Sequence, residues 1–150
     1  MIKANADHWF SWAVRAAAGW KCQKCGASFE PPTRVLQCSH LFSRKHNITR
    51  WFAGTDEIAS NAHAHCASCH AWLESRPPEH VAWAMEHEGE ERYNALRRYH
   101  NRIAKFSKSD FATIAAHYKN EYNRITEQEY GFNHPQKLEN HPVVTESNDD

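Results

Sequence analysis

Apolar positions along this chain follow helical spacing more often than strand alternation. Between Asp7 and Ala18, the residues Trp9, Phe10, Trp12 and Val14 give a broad apolar side, with Asp7 placed to cap a first helix and Gly19 to stop it. Beyond Pro31 and Pro32, Arg34-Val35-Leu36-Gln37-Cys38 has the character of a short strand. Ser39 to Phe52 is polar and basic without a sustained period, which predicts a loop with one short strand at most. His63 and His65 alternate as on a strand, and Cys66 to Glu74 reads as a turn opening into a helix that Pro77-Pro78 ends.

From Glu79 to about Phe106, Val81, Trp83, Ala84, Met85, Tyr93, Leu96, Tyr99 and Ile103 fit helix, interrupted near Gly89. Ser109 or Asp110 is placed to cap a last helix reaching about Glu129, with Phe111, Ile114, Tyr118, Tyr122 and Ile125 on one side. These two helical segments are expected to pack together and against the cysteine turns. Residues 131–150 turn polar, contain Pro135 and Pro142, and predict a disordered acidic tail. The pattern therefore predicts one α+β, mainly helical domain over residues 1–130, with its core at about 20–76 and C-terminal helices at about 79–129.

A length of 150 residues suits one modest core. No apolar run approaches the roughly 20 residues that cross a bilayer, and Met1–Asp7 lacks the apolar stretch of a secretory signal. A cytoplasmic protein without membrane partners is expected. The formal net charge is zero but unevenly spread: residues 1–52 sum to +6, 53–91 to −7, 92–108 to +6 and 109–150 to −5. The two basic blocks suit a phosphate backbone, or equally an ordinary solvated helix face.

Five cysteines, four of them in the pairs Cys22-x-x-Cys25 and Cys66-x-x-Cys69, favour metal over disulfide. Four thiolates on two turns suit tetrahedral zinc, and Gly26 suits the tight turn of the first. The 40 residues between the pairs exceed a zinc ribbon's spacing, so an insertion lies between them. Cys38 has no spacing partner and reads as a small buried side chain.

That insertion carries His40 and Asn61, and His70 directly follows the second pair. Phosphodiester cleavage needs a base to activate water and a cation to stabilise charge on phosphate and leaving oxygen. A neutral histidine suits the first task and a rigidly held one can bear the metal. The asparagine can orient the first imidazole or join two chain segments.

The order Cys22-x-x-Cys25, His40, Asn61, Cys66-x-x-Cys69-His70 resembles an HNH nuclease with its ββα-metal motif. Ser39-His40-Leu41-Phe42-Ser43-Arg44 together with Asn61-Ala-His63-Ala-His65-Cys66-Ala-Ser-Cys69 more closely resembles the phage NinG/Rap recombination nucleases, over roughly residues 20–126. The resemblance implies a ββα-metal core and His40 as general base, with Asn61 as the middle residue of the motif and His70 as ligand of the catalytic ion. It also implies structural zinc on Cys22, Cys25, Cys66 and Cys69. The catalytic ion would be Mg²⁺ or Mn²⁺, with Zn²⁺ or Ni²⁺ as alternatives. The substrate implied is branched or otherwise structured DNA, in the host cytoplasm if the chain is phage-encoded.

Three positions depart from that pattern: Ser39 stands where Asp or His is common, Gln37 where the phage enzymes tend to have Asp, and His70 where they tend to have Asn. Glu74, at i+4 from His70, is the candidate second ligand, or else a solvated surface residue. His63 and His65 would point the same way and support His40 or the metal. Arg44, Lys45 and Arg50 are candidates for phosphates flanking the scissile bond. The apolar side of the last helix offers either core or a homodimer interface. The alternatives are a non-catalytic zinc-stapled DNA-binding module with a degraded HNH site, and a zinc-stapled interaction protein with no nucleic-acid role.

Overall fold

The computed structural model describes residues 2–31 and 33–127; the tail expected at 131–150 lies outside them. The architecture is α+β and mainly helical. Helix α1 spans Ile2–Ala17, strand β1 Leu36–His40, the short helix α2 Asn47–Arg50 and strand β2 Ala62–Cys66. Helices α3 (Ala67–Glu74), α4 (Pro77–Glu88), α5 (Glu90–His100) and α6 (Lys108–Glu127) follow. The two strands pair antiparallel, with Leu36 opposite Cys66, Cys38 opposite Ala64 and His40 opposite Ala62.

Helix α1 begins five residues before the expected cap. Ala4 and Ala6 extend good helix formers towards the N-terminus, and Asp7 turns out to be a mid-helix side chain with tertiary partners. The α1 stop is as expected: Gly19 (φ 70) is followed by Trp20 (φ 58), a left-handed aromatic residue. That conformation costs about 1–3 kcal/mol and persists because Trp20 is 1% exposed, packed on Trp12 and beside the Arg15 guanidinium. Strand β1 lies two residues later than the apolar run suggested, because its pairing with β2 sets the register. The 39–52 segment holds one turn of helix, α2, where a short strand was allowed.

Pro77 both ends α3 and opens α4, taking a first-turn position whose amide has no helical partner in any case. The break at Gly89 between α4 and α5 falls where expected. Helix α6 starts earlier than Ser109: Ser107 and Asp110 form a reciprocal cap, the Ser107 amide donating to Asp110 Oδ2 at 2.8 Å and the Asp110 amide to Ser107 Oγ at 3.3 Å.

The main helical partner of α6 is α1, and not the preceding helix. Ala6, Phe10, Ala13 and Val14 meet Ile114, Ala115 and Tyr118, with Trp51 and Ala62 completing the layer. Phe10 and Tyr118 pack edge to face at 4.8 Å, and the Tyr118 hydroxyl donates to the Trp51 carbonyl at 2.8 Å. The apolar side of α6 is thus core within one chain. Each such fully buried large side chain contributes about 1.5–3 kcal/mol. A second cluster joins Ala16, Ala17, Trp20, Cys22, Leu36, Ala64 and Ile125. A third, Phe52, Ala59 and Leu96, seats α5 against the loop between the strands. At Gly54 (φ 89) a Cβ would lie 2.8 Å from the Ser60 backbone nitrogen, so only glycine lets that loop close.

Candidate functional site

The two cysteine turns converge. Cys22 and Cys25 come from the turn after α1, tightened by Gly26 (φ 79), while Cys66 and Cys69 come from the end of β2 and the first turn of α3. One sulfur of each lies within 4.8 Å of the others, and Cys25 Sγ is 3.8 Å from Cys66 Sγ. Tetrahedral zinc with bonds of about 2.3 Å places its sulfurs about 3.8 Å apart. The Ser68 hydroxyl, 3.4 Å away, leads in drawing the Cys66 thiol down to about 6 against the cost of burial, whereas burial pushes Cys69 up. Four sulfurs this close cannot all ionise without a cation, and a structural metal such as zinc fits them. Cys38 stands apart, its thiol pushed up to about 12 by burial.

Between the paired strands and α3 opens a cleft of about 560 Å³, lined by Ser39, His40, Arg44, His70 and Glu74 among others. His40 ends β1, and its Nε2 donates to the Arg50 carbonyl at 2.8 Å, leaving Nδ1 as the nitrogen with a lone pair. Burial pulls this imidazole down to about 4, so it is neutral at pH 7. His70 stands on α3 and its Nδ1 meets Gln37 Oε1 at 2.7 Å. Gln37, conspicuous in the sequence as a missing aspartate, therefore orients the His70 ring and directs Nε2 away from the strand. Glu74 is exposed, one turn along α3 from His70.

Asn61 takes the second of the two roles open to it, joining chain segments. It is fully buried, accepts from the Phe42 amide at 2.7 Å and donates to the Phe42 and Thr49 carbonyls at 3.1 and 3.0 Å. It shapes the loop after His40, and the contact holding the His40 ring comes from Arg50 instead.

Among the candidate phosphate contacts, Arg44 and Lys45 are exposed, but Arg50 is committed. Its Nε and Nη2 donate to Asp7 Oδ1 and Oδ2 at 2.9 and 2.6 Å. Asp7 also accepts from Trp51 Nε1 at 2.9 Å. Arg44 lies 4.0 Å from the same carboxylate. In the second basic block Arg97 and Arg98 are exposed, while Arg92 is spent on Glu88 and on the Thr55 and Ile58 carbonyls.

His63 and His65 do share a strand face, their rings 6.1 Å apart, and their partners are on α4, of which His80 also lines the cleft. His63 Nε2 meets Glu88 Oε2 at 2.6 Å, and His65 packs against His80 and Trp83. The stripe His80, Trp83, His87 was legible as i, i+3, i+7 spacing on one helix; that it meets the β2 histidines was not. No helix among the described residues is long and apolar enough to cross a membrane. The chain matches no family model, no curated protein and no solved structure.

Proposed function

We propose that this chain is a metal-dependent endonuclease of the HNH type that hydrolyses DNA phosphodiester bonds. The observation that carries the proposal is the convergence of His40 and His70 on one cleft, at the edge of a β1–β2–α3 unit held by four cysteines. Strand, strand and helix in that order support this reading, since the HNH resemblance leads to that arrangement. His70 Nε2 and a Glu74 carboxylate oxygen would hold the divalent ion, and these donors suit Mg²⁺, Mn²⁺ or a borderline transition metal. The ion would neutralise charge on the phosphate and the departing oxygen.

His40 Nδ1 takes a proton from the attacking water, whose oxygen forms the new bond to phosphorus. The bond from phosphorus to the sugar oxygen breaks, and that oxygen takes a proton from solvent. Arg44 and Lys45 hold flanking phosphates without reading bases. Branched recombination intermediates are the substrate class that the phage NinG/Rap resemblance suggests.

A second reading, a zinc-stapled DNA-binding module without activity, is favoured by one observation: Ser39 and Gln37 supply no carboxylate at the strand positions where HNH enzymes often have one. Cleavage of labelled linear, nicked and four-way DNA with Mg²⁺, Mn²⁺, Zn²⁺ or Ni²⁺ separates the two. His40→Ala should lower the rate by about 10²–10⁴-fold while leaving DNA binding and the zinc site intact. Because burial holds the His40 pKa to about 4, the wild-type rate in free enzyme should fall as pH drops through 4 and not through 6.5. Wild-type protein that binds every substrate but cuts none with any of these ions would establish the second reading.

A further inference from the structure

The largest set of buried polar atoms left without partners among the described residues lies between the β1–β2 pair and α4. Ser39 Oγ, His63 Nδ1, both nitrogens of His65 and His80 Nε2 are all buried without a hydrogen-bond partner. Ser39, His63 and His65 share the face of the β1–β2 pair turned towards α4, which carries His80; Ser39 and His80 also line the His40 cleft. His63 and His65 are 1% and 0% exposed. Buried polar atoms without partners cost free energy, so this layer stands out in the fold.

At one end of this layer His63, His87 and Glu88 bring one ligand atom each to within 4.8 Å of one another. Three atoms bonded to a tetrahedral ion at about 2.0–2.1 Å lie about 3.3 Å apart. The 2.6 Å contact of His63 with Glu88 and the 4.8 Å limit bracket that spacing. We propose that His63, His87 and Glu88 form a second metal site, separate from the four cysteines and from the His40 cleft, that takes a divalent transition ion of the zinc class.

Several features fit such an ion. Two imidazoles and one carboxylate are borderline donors, suited to Zn²⁺ and related ions more than to Mg²⁺. His87 and Glu88 end α4, where the helix dipole favours a cation. Arg92 holds Glu88 Oε1, so the carboxylate is oriented with Oε2 towards His63. The side-chain amide nitrogen of Gln23 lies 3.4 Å from His87 Nε2, and Gln23 Oε1 accepts from the Ala64 amide at 2.8 Å, tying the site to the first cysteine turn. A cavity of about 340 Å³ reaches His63 and Glu88 beside Gln23 and Thr55, leaving room for water or a small anion in a fourth position. The ion would clip β2 to the α4–α5 junction.

The test counts ions on the full chain loaded with Zn²⁺ or Co²⁺, for wild type, His87→Gln, Glu88→Gln and His70→Gln. Wild type should hold one ion on the four thiolates, seen as the intense thiolate-to-Co²⁺ absorption, and, over and above any ion at His70, a further ion with only weak nitrogen and oxygen-ligand bands. His87→Gln and Glu88→Gln should each lose one ion per chain and keep the thiolate absorption, which also shows that the variant has folded. His70→Gln should keep the ion that His87→Gln removes, losing at most one of its own. The proposal is overturned if wild type binds only the thiolate ion at millimolar Zn²⁺, since His63 and Glu88 are then an ion pair alone. It is equally overturned if neither α4 substitution lowers the ion count, or if His70→Gln alone lowers it.

Discussion

Replacing Asn61 by alanine removes three hydrogen bonds from a fully buried position and leaves the backbone pairing of the same residue in place. The Leu41 amide still donates to the Asn61 carbonyl at 2.8 Å, and the Asn61 amide to the Phe52 carbonyl at 3.1 Å. Lost are the Phe42 amide bond at 2.7 Å and the two bonds to the Phe42 and Thr49 carbonyls. Each bond contributes about 1 kcal/mol net, and a stranded buried partner costs about 1–3 kcal/mol more. The expected loss is roughly 4–6 kcal/mol, a large part of the roughly 5–15 kcal/mol that holds a typical domain. It corresponds to a fall in Tm of roughly 10–15 °C.

Urea unfolding of the zinc-loaded protein measures the loss as a shift in midpoint at constant slope. Asn61→Asp sharpens the test. The carboxylate can still accept from the Phe42 amide, but it turns lone pairs towards two carbonyls, so at pH 7 it should destabilise at least as much as alanine. An Asn61→Ala protein within about 1 kcal/mol of wild type would refute the structural role. If that stable variant had also lost DNA cleavage, Asn61 would have to act on the substrate directly.

Two further predictions concern the elements around the cleft. Asp7→Asn should cost about 1–3 kcal/mol, because Asp7 accepts charge-assisted bonds from Arg50 and a further one from Trp51. Burial opposes ionisation of Asp7, but Arg50 outweighs it and holds the folded pKa below the usual 3.8. The stabilisation is therefore present above about pH 4 and lost as pH falls through the lowered folded value, so the urea midpoints of wild type and Asp7→Asn should converge in acid. A constant gap down to pH 2 would contradict the ion pair. Chelating the metal, or Cys69→Ser, should unfold at least the β1–β2–α3 unit, since zinc on such sites is worth about 10–16 kcal/mol in isolated fingers. Circular dichroism and melting of the metal-free chain read this out, and an unchanged melt would remove the four cysteines as a structural staple.

Much of this molecule was legible in its sequence, because some signals are local. Two Cys-x-x-Cys pairs point to a metal site whatever surrounds them, since a pair on one tight turn already presents two thiolates suited to one ion. Gly19 and Gly89 mark helix ends because left-handed or extended backbone there excludes most side chains. The apolar spacing of Ile114, Tyr118 and Ile125 defines a helix face from 3.6-residue geometry alone. Tertiary structure decided what that face meets: the sequence placed it against the neighbouring helical segment, and the fold laid it on α1, a hundred residues away. The same holds for charge and hydrogen bonding. Asp7 looks like a helix cap and Arg50 like a phosphate contact until the fold brings them within 2.6 Å of each other. Gln37 looks like a lost aspartate until His70 turns its ring towards it. His63 and Glu88, 25 positions apart, form a pair only because β2 lies under the end of α4. Partners distant in the chain leave no periodic trace, so hydrogen bonds and ion pairs of this kind are settled by packing and register and by nothing local.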